Sequence, residues 1–486
     1  MRNIKFIKFF RIIAAASALA VLPGSAYAQG PAPESPDVVI EAGDWLGVST
    51  KYPNTYAPED AAAPSPEVLA SWWDALNDET LTRLVTWSLE NNRDLAAARS
   101  RAREARAAVG INRSAVLPWL DNVDTWTRNE ASENSTGAGQ RLEISRLGVD
   151  ASWEIDIFGG RRRDIEAGVA TMEAEHAALH AAWVSLSSEV ALNYLALRTM
   201  QERLAIAEQN LALQTETLNL LQSRYDAGLA DALALNQARY TIEQTRSAIP
   251  PIRAGIGETM NALAILSGAV PGSLEGMLAE RKPLPKLEPV GLVGIPANSL
   301  RQRPDIRAAE RRLAAQVARR KSAEADLLPR FYLIGSIGLE SLSGGSLFSS
   351  DSFGFSFGPR ITLPIFHGGA IRDNIRVQGE REEQLLAAYE SAVLGAAAEA
   401  RNALVSIAQE AERNKSLKAG AEAAKVALEV AYDKYRNGLV DFNNVIGAQS
   451  ALLSLEEQLA MSDGQTVSNI IRVFKALGGG WAPLTE

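Results

Sequence analysis

Arg224-Tyr225-Asp226-Ala227-Gly228-Leu229-Ala230-Asp231 returns later in the chain as Lys434-Tyr435-Arg436-Asn437-Gly438-Leu439-Val440-Asp441, so that tyrosine, glycine, leucine and aspartate each recur 210 residues on. The correspondence reaches far upstream. Leu117-Pro118 is answered by Leu328-Pro329, Asn92-Arg93-Asp94-Leu95 by Gln302-Arg303-Pro304-Asp305-Ile306, and Phe158-Gly159-Gly160 by Phe366-His367-Gly368-Gly369. A repeat of this length is too large for a solenoid unit. The chain reads instead as a duplicated half-domain, each copy in the order helix, strand, strand, very long helix, turn, helix.

The two quoted turns follow long stretches without proline, 161–224 in the first copy and 371–434 in the second. At a rise of 1.5 Å per residue, each stretch spans roughly 95 Å as a helix, about three times the diameter of a small domain. No single-domain globular core accommodates that. Alanines and small apolar residues at three-to-four spacing, with charges elsewhere, predict helices packed side by side along their length. Gly228 and Gly438 fit tight turns, after which a second helix runs back to about Leu266 in copy one and Leu477 in copy two. The Pro250-Pro251 pair is expected to break the first of these. At the front of copy one, Trp72-Trp73-Asp74-Ala75-Leu76 is expected to open one helix running to about Val116, ended by Leu117-Pro118.

Between the helices the period changes to two. From Leu147 to Ile157 the odd positions are Leu147, Val149, Ala151, Trp153, Ile155 and Ile157, and the even ones Gly148, Asp150, Ser152, Glu154 and Asp156. That pattern predicts a strand with one apolar and one charged face. In the second copy Phe353, Phe355, Phe357, Ile361, Leu363 and Ile365 alternate with Gly354, Ser356, Gly358, Arg360 and Thr362. Their partners, about 119–127 and 331–340, alternate less cleanly. Each copy thus supplies a hairpin, with strands at about 119–127 and 144–157 in one and 331–340 and 353–366 in the other.

Residues 1–28 read as a signal peptide: Arg2, Lys5, Lys8 and Arg11, then an apolar run from Ile12 to Leu22, then Ala26-Tyr27-Ala28 as the cleavage site. The mature chain is therefore expected to be exported. Residues 29–70, with Pro31, Pro33, Pro36, Pro53, Pro58, Pro64 and Pro66, predict an extended strap. The first repeat is placed at 71–270, a linker at 271–300, the second repeat at 301–480 and a tail at 481–486. The absence of cysteine from all 486 residues excludes disulfides, thiolate metal sites and a cysteine nucleophile together. A formal net charge of −9 argues against a nucleic-acid partner, which needs a clustered basic surface. The mature part holds no run of 18 apolar residues, so no helix is expected to span a membrane; a strand barrel escapes that test.

Strands of about ten residues, polar on one face and apolar on the other, suit a barrel wall with water inside and lipid outside. The competing reading is a soluble sheet with one buried face. Two hairpins give four strands, whereas the smallest common membrane barrels need about eight, and open edges in lipid cost several kcal/mol per unpaired group. The chain is expected to assemble with copies of itself, and dimer, trimer or tetramer would each close a barrel.

Several of these residues together resemble the TolC-like outer-membrane efflux factors, in particular the branch that works with RND-type drug pumps. They are Trp72-Trp73-x-x-Leu76-x-Asp78-x-x-Leu81, Asn91-Asn92-x-Asp94-Leu95, the paired Leu-Pro steps, Leu363-Pro364-Ile365-Phe366 before Gly368-Gly369, and the paired Tyr-x-x-Gly-Leu-x-Asp turns. The resemblance implies a mostly helical fold with a membrane β-barrel: a homotrimer sharing one 12-stranded barrel in outer-membrane lipid, above a periplasmic α-helical tunnel. It implies a non-enzymatic exit duct, without cofactor or metal, for compounds delivered by an inner-membrane RND-type pump through a periplasmic membrane-fusion adaptor. By the same resemblance, Arg224, Tyr225, Gly228, Leu229, Asp231, Tyr435, Gly438, Leu439 and Asp441 form the adaptor-docking tip. Tyr435, Asp441, Asn444 and Gly447 take the place of the periplasmic gate. Two departures stand out. The acylated cysteine that many members carry is missing, and Asn444 and Gly447 stand where acidic rings are common.

Other motifs point to chemistry and lose on context. Gly354-Phe355-Ser356-Phe357-Gly358 matches a nucleophile elbow and His367-Gly368-Gly369-Ala370 an oxyanion-hole motif, the pair that a surface esterase would need. An elbow requires strand, sharp turn and helix, yet alternation runs on through Ser356, and the oxyanion-type motif follows the serine instead of preceding it. His176 and His180, with Glu173 on the same helical face, have metal-compatible spacing but lack the H-E-x-x-H glutamate. Arg161-Arg162-Arg163 reads as a solvated charge cluster at the barrel's periplasmic rim, with a lipid head-group contact as the alternative. No nucleotide-binding G-x-x-x-x-G-K-[ST] loop is present, so the energy for export must come from a partner. An exit duct for secreted polypeptides and a soluble coiled-coil scaffold remain the rival functions.

Overall fold

A computed structural model of the chain describes residues 70–134, 136, 139–285, 302–342 and 344–480. The expected signal peptide, the strap up to residue 69, residues 286–300 of the linker and the tail 481–486 lie outside the described residues. In chain order the elements are a 3-10 turn (Trp72–Leu76), α1 (Glu79–Asn91), α2 (Arg93–Ser114), β1 (Trp119–Glu130), β2 (Arg141–Ile155), α3 (Gly160–Asp226), α4 (Ala232–Leu266) and α5 (Glu275–Leu278). Then come α6 (Pro304–Ala325), β3 (Arg330–Ser341), two 3-10 turns (Gly344–Ser346 and Ser350–Ser352), β4 (Phe353–Thr362), α7 (Ala370–Arg436) and α8 (Phe442–Ala476).

The helix expected from Trp72 to Val116 is three pieces. Asn77 sits in left-handed geometry at φ 50°, and Asp78 caps α1 by accepting from the N–H groups of Thr80 and Leu81. At the second break Asn92 accepts from Leu95 N–H at 2.8 Å and donates to the Leu266 carbonyl at 2.9 Å. An asparagine that satisfies a new helix start while tethered to another helix competes with continuation of the old one. The opposite correction applies at Pro250-Pro251: α4 runs through both prolines without interruption. Ile249 and Ile252, on either side, are buried in a cluster with Ala207 of α3, and that packing holds the segment in line despite the missing donors.

Helices α3 and α7 each have 67 residues, about 100 Å at the standard rise. Each starts after a glycine with positive φ, Gly159 at 81° and Gly369 at 91°. They pair with α4 and α8 into two long hairpins, and α3 also packs against α8. Small residues allow the close approach, since a Cβ at Gly464 of α8 would run into the Thr199 side chain of α3. A core lies midway along, where Trp72 stacks on Phe474 at 5.6 Å and Tyr194 donates to Asp78 at 2.6 Å. Burial, reinforced by that bond to Asp78, pushes the Tyr194 hydroxyl up to about 12. Arg303, also buried here, ties Asp305 and Glu399 to the Ala476 carbonyl.

The four strands form one antiparallel sheet in the order β1-β2-β3-β4. The strands of copy one run longer than the alternation predicts at the hairpin end, because Glu130 and Arg141 pair at 3.0 Å and Trp126 donates to Glu143 at 2.7 Å. At the helical end β2 stops at Ile155, where Asp156 turns to accept the Arg162 N–H. β4 stops at Thr362, short of residue 366, because Pro364 brings no ladder donor. Register fixes the faces. Val149, Ile337 and Phe355 share one row, flanked by Leu147, Leu339 and Phe353, while Asp150, Ser336 and Ser356 share a row on the other face. The first face leaves Val149 40 % and Phe355 63 % exposed, so a broad apolar surface meets the surroundings. On β1 this outer face is mixed: Asn122 and Asp124 lie opposite Val149 and Leu147 and bond to each other at 2.9 Å.

Candidate functional site

The far end of the two hairpins gathers every tip residue the sequence singles out. After α3, Gly228 takes φ 73°, its N–H bonds the Tyr225 carbonyl at 2.9 Å, and Leu229 N–H reaches back to the Arg224 carbonyl at 2.8 Å. After α7 the pattern repeats: Gly438 at φ 69°, Gly438 N–H to Tyr435 at 3.0 Å, and Leu439 N–H to Lys434 at 2.9 Å. Both are Schellman endings, which need a residue free of Cβ strain at the left-handed position. Asp231 then caps α4, accepting from Ala234 N–H at 2.7 Å. Asp441 makes no such cap, and its carboxylate is left to solvent.

The duplicated tyrosines part company. Tyr225 is 40 % exposed, whereas Tyr435 is 9 % exposed, between Phe442 at 5.1 Å and the Arg224 guanidinium 4.8 Å from its ring centroid. Arg224 also donates to the Arg436 carbonyl at 3.4 Å, so a side chain of copy one closes over a ring of copy two. Leu221, Leu235, Ala238 and Val445 complete this small core. One turn further in, the hydroxyls of Thr217 and Tyr432 meet at 2.7 Å, and Gln449 donates to Thr217 at 3.3 Å. Phe442, Tyr432, Thr217 and Gln449 escaped the sequence reading. All four stand where the other copy has a different residue, Ala232, Gln222, Ala427 and Arg239 in that order, so the departures from the repeat were the available signal.

Leu229 and Leu439 point outward, 76 % and 73 % exposed, a pair of apolar side chains at the extreme end of each hairpin. On α8, Asn444 and Gly447 are exposed on the side away from Phe442 and Val445, and a Cβ at Gly447 would meet open space.

The other motifs resolve differently. Ser356 lies inside β4 with its hydroxyl 2.8 Å from that of Ser336. Glu173 pairs with Arg311 at 3.4 Å, and His180 stands 5.7 Å from the Trp183 ring; burial, with help from His176 and Arg307, pushes its imidazole below the usual range. The three arginines after Gly160 are paired one by one, Arg161 with Glu154, Arg162 with Asp156 and Arg163 with Glu166. Arg161 and Arg162 tie the exit of β2 to the start of α3, whereas Arg163 pairs within α3; Arg162 and Arg163 stay largely solvated at this rim. Among the described residues no helix is long and apolar enough to cross a membrane.

A sheet with an apolar outer face, mounted on helices about 100 Å long that end in twin glycine turns, is matched by the family model for outer membrane efflux proteins over residues 84–269 and 295–479. The chain belongs to the outer membrane efflux protein family. OprJ of Pseudomonas aeruginosa, an outer membrane protein, is 32 % identical over 416 residues, covering 84 % of this chain and 86 % of OprJ. The toluene efflux pump outer membrane protein TtgF of Pseudomonas putida is 30 % identical over 414 residues, covering 85 % of each. Among solved structures, the outer-membrane channel OprN superposes with a TM-score of 0.82 at 34 % identity, covering 88 % of this chain and 98 % of that one. The Campylobacter jejuni CmeC outer membrane channel, at 24 % identity, shares the fold with a TM-score of 0.83, covering 89 % and 92 %. This efflux protein is accordingly an outer-membrane channel whose strands lie in the membrane and whose helices lie in the periplasm.

Proposed function

We propose that three copies of this chain form the exit duct of a tripartite efflux assembly, with repeats at 71–270 and 301–480 contributing four strands each chain to a shared 12-stranded barrel. The observation that carries the reading is the sheet, apolar on the outer face of β2 to β4, polar inside and unpaired along both outer edges, β1 and β4. Open edges in lipid are costly, and neighbouring copies remove them. The cargo is small toxic compounds, supported by relatives named for toluene and solvent efflux. An inner-membrane RND-type pump supplies the energy, and a periplasmic adaptor meets the hairpin tips.

At the tip, Leu229 and Leu439 are the docking contacts, with Tyr225 beside them, and Gly228, Gly438 and Asp231 hold the turns in shape. Arg224 and Tyr435 form the latch between the two hairpins. Asn444 and Gly447, with Asp441 nearby, line a constriction that lacks an acidic ring. The test is a deletion strain profiled against a compound panel. Sensitisation to several small toxic compounds, reversed by the gene on a plasmid, is expected. Unchanged sensitivity with loss of a secreted polypeptide would favour the polypeptide duct instead.

A further inference from the structure

The inner faces of the two edge strands each carry a single charge, and the two charges are opposite. On β1 the positions facing the polar side are Trp119, Asp121, Val123, Thr125, Thr127 and Asn129; on β4 they are Gly354, Ser356, Gly358, Arg360 and Thr362. Asp121 lies directly opposite Asp150 of β2, a like-charge neighbour whose own cation is Arg146. Arg360 lies opposite Tyr332, one diagonal step from Arg330, whose own anion is Asp326. Asp121 therefore stands beside a second carboxylate, and Arg360 beside a second guanidinium. Both are exposed, on opposite edges of the sheet, with no ion pair inside the subunit among the described residues.

We infer that Arg360 of one subunit faces Asp121 of the next, an inter-subunit ion pair on the barrel's inner wall that sets the register of each seam. The inference rests on the trimeric reading above. β1 leaves the helical end of the sheet and β4 returns to it, so the two run antiparallel when neighbouring copies meet. Asp121 is the third residue of β1 and Arg360 the third from the end of β4, which puts both near the same rim. Each charge relieves the repulsion the other's subunit leaves unanswered. Like charges opposite one another destabilise a ladder and opposite charges support it. A slip by two residues would set Arg360 beside Val123 or Trp119, neither of which offers an anion.

The chain contains no cysteine, which makes disulfide mapping clean. Directly opposed antiparallel residues have Cα atoms about 4.5–5.5 Å apart, inside the range a disulfide spans, whereas a shift of two takes them to about 7–8 Å, outside it. Full-length Asp121→Cys/Arg360→Cys protein, purified from outer membranes and oxidised, is expected to run as a covalent trimer on a denaturing gel, with each single-cysteine variant remaining monomeric. Native mass measurement runs in parallel on the unoxidised protein. A trimer by mass with no 121–360 cross-link overturns the pairing and leaves the trimeric reading standing; absence of any trimer from the wild type overturns both. Charge reversal gives an independent arm. Arg360→Asp alone should weaken each of the three seams by up to roughly fivefold, the upper end for a solvent-reached pair, and so lower the heat-resistant trimer fraction, and Asp121→Arg/Arg360→Asp should recover it. A double variant no better than the single one overturns the pairing.

Discussion

Ile337 and Ser336 are neighbours on β3 that point to opposite faces, and the fold predicts opposite responses to the same substitution. Ile337 shares its row with Val149 and Phe355, and its own-face neighbours along the strand are Gly335 and Leu339. An arginine there finds no carboxylate and projects into the lipid band, at a cost of about 2–4 kcal/mol near the midplane. At 1.4 kcal/mol per tenfold, that is roughly a 30- to 700-fold shift in an insertion equilibrium. Ser336 faces the other side, in the row of Asp150 and Ser356, where an arginine reaches water and a nearby carboxylate. Ser336→Arg is expected to insert near wild-type yield. Val149 is the poorer probe for this purpose, because it lies diagonal to Asp124, whose carboxylate would compensate an arginine. The assay is outer-membrane fractionation with quantitation of heat-modifiable protein, backed by urea-titrated folding into short-chain lipid vesicles. Equal yields for Ile337→Arg and Ser336→Arg would refute the assignment of faces, and with it the barrel.

Gly438→Val should distort the second turn, since a left-handed backbone costs a β-branched residue roughly 1–2 kcal/mol or more; compound export in cells should fall while trimer yield on gels stays normal. Gly447→Asp meets open space, so it should fold normally and bring three carboxylates to the tunnel mouth; planar-bilayer conductance should gain a divalent-cation block that wild type lacks. Arg303→Met should lower stability by on the order of 1–2 kcal/mol, discounted because Asp305 and Glu399 are about half exposed. Burial favours the neutral form of Asp305, but Arg303 outweighs it and holds the carboxyl low, so its stabilisation is present above about pH 4 and fades as pH falls through the native value. Melting temperature followed by circular dichroism should therefore decline less steeply below pH 4 in the variant than in wild type. Arg224→Ala removes the guanidinium over Tyr435 and should raise basal conductance of the purified channel; unchanged conductance would assign Arg224 to packing alone.

The long helices and strands were legible because their signals are local: proline-free runs, glycine turns and strict alternation. The breaks were not. Asn92 ends one helix by capping the next while holding the Leu266 carbonyl, a contact 174 residues away in sequence that no window reveals. Pro250-Pro251 carries a breaker signal, yet the burial of Ile249 and Ile252 against α3 outweighs it. The tip motif was readable as a turn because the backbone geometry needs glycine whatever surrounds it. Which tyrosine is buried was signalled only by the departure of Phe442 from Ala232 in the other copy, and the Arg224 that covers Tyr435 comes from the other hairpin. The seam charges were visible in the alternation of β4, where Arg360 stands among small residues, but only strand order reveals that Asp121 lies on the opposite free edge.

The distribution of contacts decides where such a duct can open. Midway along the helices, Trp72, Tyr194, Arg303 and Phe474 are buried and joined by stacking, hydrogen bonds and ion pairs across several elements. Separating the hairpins there would expose large aromatics and strand a buried guanidinium, each costing several kcal/mol. At the tip the bond between hairpins is narrower: one cation–π contact, the Arg224–Arg436 and Thr217–Tyr432–Gln449 hydrogen bonds, and a small core in which Leu221, Leu235 and Ala238 meet Tyr435, Phe442 and Val445. A partly exposed cation–π contact is worth about 0.5–1 kcal/mol and each hydrogen bond about 0.5–1.5 kcal/mol. The polar part of the latch thus amounts to a few kcal/mol, to which the small shared core adds, and a partner can move that equilibrium only by binding the open form better by the total. In the proposed docking role, Leu229 and Leu439, exposed on the same turns, would offer the apolar surface for such differential binding. Opening confined to the last turns would leave the clamped middle and the barrel unchanged, so that under the proposed function the protein would stay inserted while its periplasmic end responded to a partner.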